Sequence, residues 1–496
     1  MRLDDWAELD RAISEIAASG NAEVREDGEW LAELAGLRCE LHRQGRNALV
    51  HLWSDDRNLT RRVLGVKERS GDCIVLEVQR FGRSKPGRLE FRRRDSPRSA
   101  ARITREQFGA RFRRILSERF PDATVEPLTA SPDLERSFSG LYARGRMHEG
   151  ARDWAVLAVS AAESAAAAEG ILTFGILWLD WTRGHAGRRA VEGLRLFVPQ
   201  GTSRAVRERL LAVSPSAHVE LYEFDEPNAR MAKVDPADAG NLESWLVSRS
   251  AIESTIQAAA AAAGRVRSFA PEAQIIDARV VPGAGDLAFA FRGLEFARCS
   301  AGEILFGLGD SRERLTEKTE ASLGRLLGQL DLHRSALASE TNHPMYRAAP
   351  ERWLETLLLE DPSRLDAQLD PRYLYSQVPA LRSSDRGVLD LLGVTRRGRL
   401  VVIELKASED LQVLMQAVDY WLRVRRHQRG GDFERFGYFS GVALDAAPPL
   451  VWLVAPGLRF HPATEVLLKY LSPEIQVTRI GLNETWRRGP RVIFRQ

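Results

Sequence analysis

Two apolar segments near the C-terminus carry isolated charges. Residues 387–394 are apolar except for Asp390 and the glycines, and residues 400–406 are apolar except for Glu404 and Lys406. A short Arg-Arg-Gly sequence joins them, which favours two strands in a hairpin. Burying a lone carboxylate in such a strand costs several kcal/mol unless it is paired or binds a metal ion. Because side chains two apart share a strand face, Asp390, Glu404 and Lys406 are predicted to converge.

The composition makes Lys406 more informative than a lysine would ordinarily be. The chain has six lysines among its 71 basic residues, and Glu404-x-Lys406 is the only place where an acid stands two residues before a lysine. Carboxylate oxygens of this kind are hard ligands that suit Mg²⁺ or Mn²⁺. The alternative for Asp390 is an ordinary turn residue at a strand end.

The flanking segments have helix and strand patterns. A helix is predicted over 351–359, where Glu351 and Glu355 share a face, and another over 411–426, where Gln416 and Tyr420 do so. Strands are predicted over 450–454 and 475–480, with a helix over 464–471. With one more strand before Asp390, the order αβββαβαβ implies a mixed sheet with helices on its faces.

Several of these side chains also have ordinary structural interpretations. Gln416 and Tyr420 are equally typical of a helix surface and of helix packing, and Glu355 of a solubilising helix residue. Glu351 is the rival of Glu355 for an acidic role on the first helix.

The set resembles the PD-(D/E)XK nuclease superfamily: a helix acid, the strand residue Asp390, Glu404-x-Lys406, and Gln416-x-x-x-Tyr420. Gln-x-x-x-Tyr is a feature of its RecB-like branch. The segment from Gly398 to Lys406, followed later by Val-Ala-Pro and a helix, is most similar to the catalytic domain of the NucS/EndoMS endonucleases. The resemblance covers about 345–482, under a third of the chain, and Leu389 stands where many members have proline.

The resemblance implies a metal-dependent endonuclease that hydrolyses phosphodiester bonds. Asp390 and Glu404 would hold one or two Mg²⁺ (or Mn²⁺) ions, helped by a backbone carbonyl near Leu405 and by Glu355 through water. Lys406 would orient the attacking water and stabilise negative charge in the transition state. Gln416 and Tyr420 would lie near the nucleic-acid backbone or position the other side chains.

The expected substrate is DNA, in repair, restriction or defence. Arginines near the site are predicted to contact flanking phosphates: Arg396, Arg397, Arg423 and Arg426. Two alternatives stay open, a nuclease-fold protein that binds nucleic acid without cutting it and a nuclease directed at RNA. A homodimer is a further expected partner.

The N-terminal region is predicted to be β-rich and basic. Alternating runs fill about 35–94, and a helix is predicted from Thr104 to Phe120. Residues 80–119 carry an excess of ten positive charges, which suits phosphate binding through residues such as Arg92, Arg93 and Arg94. The alternative is a solvated helix and strand in an arginine-rich protein.

The middle of the chain shows no recognisable chemistry and no convincing internal repeat. Ile171–Trp181 is predicted to be a buried strand, as is Leu194–Val198. A six-alanine run at Ala258–Ala263 favours helix, 265–310 is predicted to be β-rich and 311–340 helical. The Gly-Ala-Gly sequence ending at Gly285 is predicted to be a hairpin turn, because a strand follows it where a dinucleotide loop needs a helix.

The composition indicates a folded, mixed α/β (α+β) protein. Apolar residues make up 44% and charged residues 28%. We expect a β-rich basic domain over 1–124, a mixed domain over 125–256, a connecting region over 257–340 and a nuclease-like domain over 341–496. Three scattered cysteines, no secretory signal and no apolar run long enough for a membrane helix predict a cytoplasmic protein with no membrane partner.

Overall fold

A computed structural model describes most of the chain and divides it into two compact units. The units are Met1–Arg111 and Phe112–Gln496. The described residues are 3–18, 22–27, 29–34, 37–44, 47–53, 58–69, 73–79, 86–93, 97–133, 136–237, 246–270, 276–281, 285–309, 311–376, 378 and 390–496. Within them lie four sheets, three of them in the second unit.

The first unit is a helix and a seven-stranded antiparallel sheet, in the order β2-β1-β7-β6-β5-β4-β3. The predicted β-rich region is confirmed, and two strands that were not predicted, β1 and β2, join the sheet. Leu9, Ile13 and Ile16 of the helix belong to the same apolar core as the strands. The elements are α1 (Leu3–Ala18), β1 (Ala22–Glu26), β2 (Glu29–Glu33), β3 (Arg38–Gln44), β4 (Asn47–Trp53), β5 (Asn58–Arg69), β6 (Cys73–Gln79) and β7 (Gly87–Arg93).

The helix α2 (Pro97–Arg119) begins earlier than predicted. Thr104 lies inside it and does not cap it, because Pro97 already supplies a preferred first helical residue. Phe108, Phe112 and Leu116, which stand four residues apart on this helix, are buried. The basic residues at 80–85 and 94–96, Arg94 among them, lie outside the described residues.

The second sheet has six strands in the order β13-β12-β11-β10-β9-β8. The pairs β8/β9, β9/β10 and β12/β13 are antiparallel, whereas β10/β11 and β11/β12 are parallel. Helices make the two parallel crossovers. The elements are β8 (Ala123–Val125), β9 (Tyr142–Glu149), β10 (Arg152–Val159), α3 (Ala165–Gly184), β11 (Ala190–Pro199), α4 (Arg204–Leu210), β12 (Val219–Asp225) and β13 (Arg230–Val234).

The prediction of a strand at Ile171–Trp181 is wrong, because this segment is the middle of α3. The side chain of Ser164 caps the helix by accepting a hydrogen bond from the Ala167 amide. The helix is buried around most of its circumference, so its sequence is apolar all round and lacks the stripe that would distinguish it from a buried strand. The strand predicted at Leu194–Val198 is confirmed as part of β11.

The third sheet is antiparallel, in the order β14-β15-β16-β17-β18, with helices beside it. β14 and β15 pair as a hairpin, so the turn predicted at Gly285 is confirmed, although residues 282–284 are not described. The six-alanine run is helical as predicted, and it ends one helix and begins the next. The elements are α5 (Arg249–Ala258), α6 (Ala260–Arg267), β14 (Ile276–Val281), β15 (Asp286–Phe291), β16 (Leu294–Ser300), β17 (Glu303–Phe306), β18 (Glu313–Arg314), α7 (Glu320–His333) and α8 (Pro344–Arg347).

The fourth sheet carries the residues singled out from the sequence, and its predicted order αβββαβαβ is confirmed, with β24 added at the edge. The pairs β19/β20, β20/β21 and β23/β24 are antiparallel, whereas β21/β22 and β22/β23 are parallel. The elements are α9 (Pro350–Glu360), β19 (Leu369–Ser376), β20 (Leu391–Thr395), β21 (Leu400–Leu405), α10 (Val413–Arg429), α11 (Asp432–Arg435), β22 (Leu450–Pro456), α12 (Thr464–Lys469), β23 (Val477–Leu482) and β24 (Val492–Arg495).

Helices cover both faces of the fourth sheet. Trp353 and Leu358 of α9 pack with Ile403 on one face, and Tyr420 and Val424 of α10 pack on the other. This covering is why β21 has an unbroken buried pattern. The protein is thus of the mixed α+β class. Within the described residues, no helix combines the length and apolar composition needed to cross a membrane.

Two glycines at hairpin turns give a matched stability test. Gly398 has φ 85° and a Cβ there would lie 2.1 Å from the Ala443 carbonyl oxygen, whereas Gly150 has φ 60° and open space around it. Gly150→Ala should lower the free energy of unfolding by about 1 kcal/mol, from backbone strain alone. Gly398→Ala should cost about 2–4 kcal/mol, because the clash adds to the strain. Equal losses in denaturant titrations would contradict the close approach at Gly398.

Candidate active site

The β20–β21 hairpin brings the predicted carboxylates together. Leu391 pairs with Ile403, so Asp390, one residue earlier, lies across from Glu404. The Leu405 amide donates a 2.9 Å hydrogen bond to Asp390 Oδ2 and holds that side chain at the strand end. The convergence predicted from the sequence is therefore present.

These residues line a cleft of about 610 Å³. It contains seven of the residues singled out from the sequence for a chemical or binding role, and also the rival acid Glu351. The first seven are Asp390, Glu404, Leu405, Lys406, Gln416, Tyr420 and Arg423. The rest of the lining is Ala166, Glu169, Gly170, Arg209, Ala349, Arg352, Gln412 and Asp419.

The two carboxylates are almost withdrawn from water. Asp390 is 9% exposed and Glu404 is 4% exposed. Burial raises the pKa of Asp390 to about 6, against the opposing hydrogen bond from the Leu405 amide. Burial, and then the charge of Asp390, raise the pKa of Glu404 well above its ordinary value. Among the described residues, no group donates a hydrogen bond to the buried Glu404 Oε2. The pair is therefore suited to bind a cation, which would offset the cost of burying its negative charge.

Lys406 supplies a positive charge at the edge of this pair. Its Nζ lies 3.6 Å from Glu404 Oε1 and 3.2 Å from Asp410 Oδ2. Burial by itself would lower the pKa of Lys406, but Glu404 and Asp410 outweigh it and raise that pKa. The raised pKa keeps Lys406 an ammonium at neutral pH, in which form it can donate hydrogen bonds.

The helix α10 presents Gln416 and Tyr420 to the same cleft, as their spacing predicted. Gln416 Oε1 is buried and has no hydrogen-bond partner among the described residues. Tyr420 is buried, and burial followed by the charges of Glu404 and Asp390 raises the pKa of its hydroxyl. Tyr420 therefore keeps its proton, and Arg423 lies over its ring.

The two acids of α9 have different surroundings. Glu355 is fully buried and is bound by Arg279 at 3.0 Å and Arg352 at 2.7 Å, outside the cleft lining. Glu351 lines the cleft, and its Oε1 accepts a hydrogen bond from the Ala407 amide. Arg352 reaches toward the site, with Nη1 3.8 Å from Asp390 Oδ1.

The remaining predicted arginines do not line the cleft. Arg396 and Arg397 are exposed at the β20–β21 turn, where Arg396 donates to the Ala367 carbonyl. Arg426 is exposed in the last turn of α10. Arg92 and Arg93 belong to β7 of the first unit, and Arg92 is exposed there.

The sequence interpretation missed one whole wall of the cleft. Arg209 at the end of α4 donates hydrogen bonds to both carboxylate oxygens of Asp419 on α10, at 2.8 and 2.7 Å. The same guanidinium donates to the Glu169 carbonyl of α3. Arg209 and Asp419 are 210 positions apart and form no local motif, so no pattern in one sequence marks them as partners.

The donor set at the strand ends fits a hard divalent cation. Within the described ranges, no group of three or more acidic, histidine or cysteine side chains is arranged around a common metal position. Mg²⁺ does not need one, because it commonly keeps several waters and uses one or two carboxylates. The buried, unpartnered Glu404 Oε2 beside Asp390 is the observation that supports the fit.

Neither a family model nor a curated protein sequence matches this chain. The chemical interpretation of the cleft therefore depends on its own residues.

Asp390→Asn should stabilise the metal-free protein. The pKa of Asp390 is raised from 3.8 to about 6 in the folded state, so between about pH 4 and 6 the folded state keeps a proton that the unfolded state has lost. Wild-type stability therefore falls as pH rises through that window, and asparagine removes this loss. At pH 7 in chelator, we expect the free energy of unfolding to rise by about 1–3 kcal/mol. The exposed Asp122→Asn is the control and should change little; a destabilised Asp390→Asn protein would refute the burial argument.

Replacing each of the two acids of α9 should have different effects on the free energy of unfolding. Glu355→Gln leaves Arg279 and Arg352 without their buried carboxylate and should lower the free energy of unfolding by about 3 kcal/mol. Glu351→Gln keeps an acceptor for the Ala407 amide and should leave stability within about 1 kcal/mol. Thermal melts of the two variants check this, and the reverse order of stabilities would contradict these placements.

Proposed function

We propose that the protein is a metal-dependent nuclease whose active centre is Asp390, Glu404 and Lys406. The observation that supports this most directly is the pair of buried carboxylates at one strand end, with a lysine beside it and one oxygen that has no hydrogen-bond partner among the residues that the structure describes. The resemblance to the PD-(D/E)XK superfamily, with the Gln416-x-x-x-Tyr420 feature, supports the same reaction.

The bound ion would be Mg²⁺ or Mn²⁺, held by Asp390 and Glu404 with the Leu405 carbonyl as the proposed third ligand. When bound, it supplies Lewis-acid polarisation of the phosphate and a lowered pKa for its water. The two carboxylates then remain ionised, since a cation reverses the desolvation penalty that raises their pKa values.

Lys406 would act on the phosphate and the attacking water. As an ammonium it donates hydrogen bonds, so it can orient the water and stabilise negative charge that grows on the phosphate oxygens. Water adds across one P–O bond, which leaves a phosphomonoester and a hydroxyl. The protonated Tyr420 and the side chain of Gln416 are available to hold the nucleic-acid backbone in the cleft.

We infer DNA as the substrate, in repair, restriction or defence. Arg423 and Arg352 bring positive charge to the cleft, and Arg396, Arg397 and Arg426 add exposed charge on the same domain. Phosphate contacts of this kind make binding fall steeply with salt. Arg92 and Arg93, with the undescribed Arg94, are a second proposed phosphate-binding set on the first unit.

The catalytic assignment makes Lys406 the decisive residue. With Mg²⁺ or Mn²⁺, wild-type protein should cut at least one of a panel of labelled single-stranded, duplex, flap and mismatched DNAs and RNA. Lys406→Ala should lose about 10²–10³-fold in rate, because it removes a charge needed in the transition state. The exposed Lys318→Ala is the matched control and should cut normally.

The substrate panel also separates the alternatives. Cutting confined to RNA would replace DNA as the substrate. Salt-sensitive binding with no cutting in any metal would favour a nuclease-fold binding protein. Undiminished cutting by a correctly folded Lys406→Ala protein, verified by circular dichroism, would refute the proposed centre.

A further inference from the structure

The second and fourth sheets have the same topology. Each has six strands in sequence order across the sheet, with the same succession of pairings: antiparallel, antiparallel, parallel, parallel, antiparallel. Along the described part of the chain, the α-helices and strands of each follow the order helix, three strands, helix, strand, helix, two strands, and the later copy adds the short α-helix α11. The sequence shows no convincing internal repeat, and the likeness between these two sheets is one of topology.

The correspondence extends to individual elements. The crossover helices α3 and α10 occupy equivalent positions, as do α4 and α12. The parallel strands β11 and β22 both end in proline, at Pro199 and Pro456. Phe112 of α2 packs on Phe197 of β11. In the later copy, Leu354 of α9 lies in the same apolar core as Val454 of β22.

The two copies pack about an approximate twofold axis. The helix α3 contacts α12, and its equivalent α10 contacts α4, the equivalent of α12. On the axis, Val213 and Leu471 form an antiparallel bridge. The flanking hydrogen bonds are reciprocal at 2.8 Å: the Ser214 amide donates to Tyr470, and the Ser472 amide donates to Ala212. Each partner is 258 positions from its equivalent, which is the pattern of an isologous interface between two copies.

A short segment next to this axis is similar in sequence in the two copies. Ser214-Pro215-x-Ala217-x-Val219 corresponds to Ser472-Pro473-x-Ile475-x-Val477, directly after the bridge. Val219 and Val477 are the first residues of the equivalent strands β12 and β23. Six positions are too few to stand out in a chain of this length.

Strand register identifies what replaces the catalytic residues in the earlier copy. Glu404 pairs with Leu453, three residues before Pro456, and Leu157 pairs with Leu196, three residues before Pro199. Leu157 is therefore the equivalent of Glu404, and Val159 is the equivalent of Lys406.

The equivalent of Asp390 follows from the antiparallel neighbour. Arg144 pairs with Leu157 on β9 and takes the place of Asp390, opposite the position of Glu404. Its guanidinium lies over the rings of Phe138 and Trp178. Leu157 and Val159 are buried in the apolar core. The earlier copy thus has no carboxylate at either metal-binding position.

The earlier copy nevertheless contributes to the cleft. Ala166, Glu169 and Gly170 of α3 and Arg209 of α4 belong to its lining. The ion pair of Arg209 with Asp419 fixes α10 from that side. Both copies lie in one chain, and the later copy supplies the one proposed catalytic centre.

We propose that residues 112–234 are a non-catalytic copy of the nuclease-like fold, so that one chain breaks one strand of duplex DNA per binding event. This rests on the proposed nuclease function. Two catalytic copies about a twofold axis can address the two antiparallel strands of a duplex, whereas this pair has one centre. Each event adds one water across one P–O bond and leaves a nick.

Supercoiled plasmid distinguishes one centre from two. We expect full-length protein with Mg²⁺ or Mn²⁺ to convert it first to nicked circle, with linear DNA formed only afterwards from the nicked product. Linear DNA formed directly, at a rate comparable to that of nicked circle, would overturn the inference. It would show two coordinated centres, as in a homodimer of this chain.

Metal binding gives a readout that does not depend on DNA cleavage. Mn²⁺ titration, followed by electron paramagnetic resonance, should detect binding that is lost in Asp390→Asn and kept in Asp122→Asn. Tight Mn²⁺ binding that persists in Asp390→Asn would show a second centre and overturn the single-centre assignment, as would the absence of tight binding in the wild type. Failure to cut any substrate, with Asp390-dependent binding intact, would refute the nuclease function while supporting a single metal centre.

Discussion

The withdrawal of two carboxylates from water at one strand end is the constraint around which the fourth sheet is organised. Asp390 and Glu404 face each other across a hairpin, burial makes both costly to ionise, and the charge of Asp390 adds to that cost for Glu404. The Leu405 amide, Arg352 and Lys406 offset part of this cost, but no donor in the described part of the chain reaches Glu404 Oε2. Such an arrangement persists only if well-packed surroundings supply the missing stability. Helices on both faces of β21 provide that packing.

The hairpin that carries Asp390, Glu404 and Lys406 was predictable because its determinants are local. Strand alternation, a three-residue turn and the spacing of Glu404 and Lys406 set the direction of these side chains without reference to distant residues. The choice between Glu351 and Glu355 was not local, since both share a face of α9. It depends on the rotation of that helix, which Trp353 and Leu354 fix against the sheet. It also depends on Arg279 of β14, which pairs with Glu355.

The central domain could not be read from the sequence for two physical reasons. The helix α3 is enclosed on nearly all sides, and its apolar sequence has the same pattern as a buried strand. The repeat is hidden because topology is preserved by any apolar residues that fill the core, so the two copies need share almost no side chains. Contacts between copies, such as Arg209 with Asp419, join residues too far apart to form a motif.

The difference between the copies divides stability and chemistry between them. Leu157 and Val159 occupy the positions of Glu404 and Lys406 and contribute apolar burial, so the earlier copy carries no desolvated charge pair at its strand end. That same core includes Leu414, Val418 and Trp421 of α10, the helix that presents Gln416 and Tyr420 to the cleft. The apolar copy therefore holds in place a helix of the charged copy.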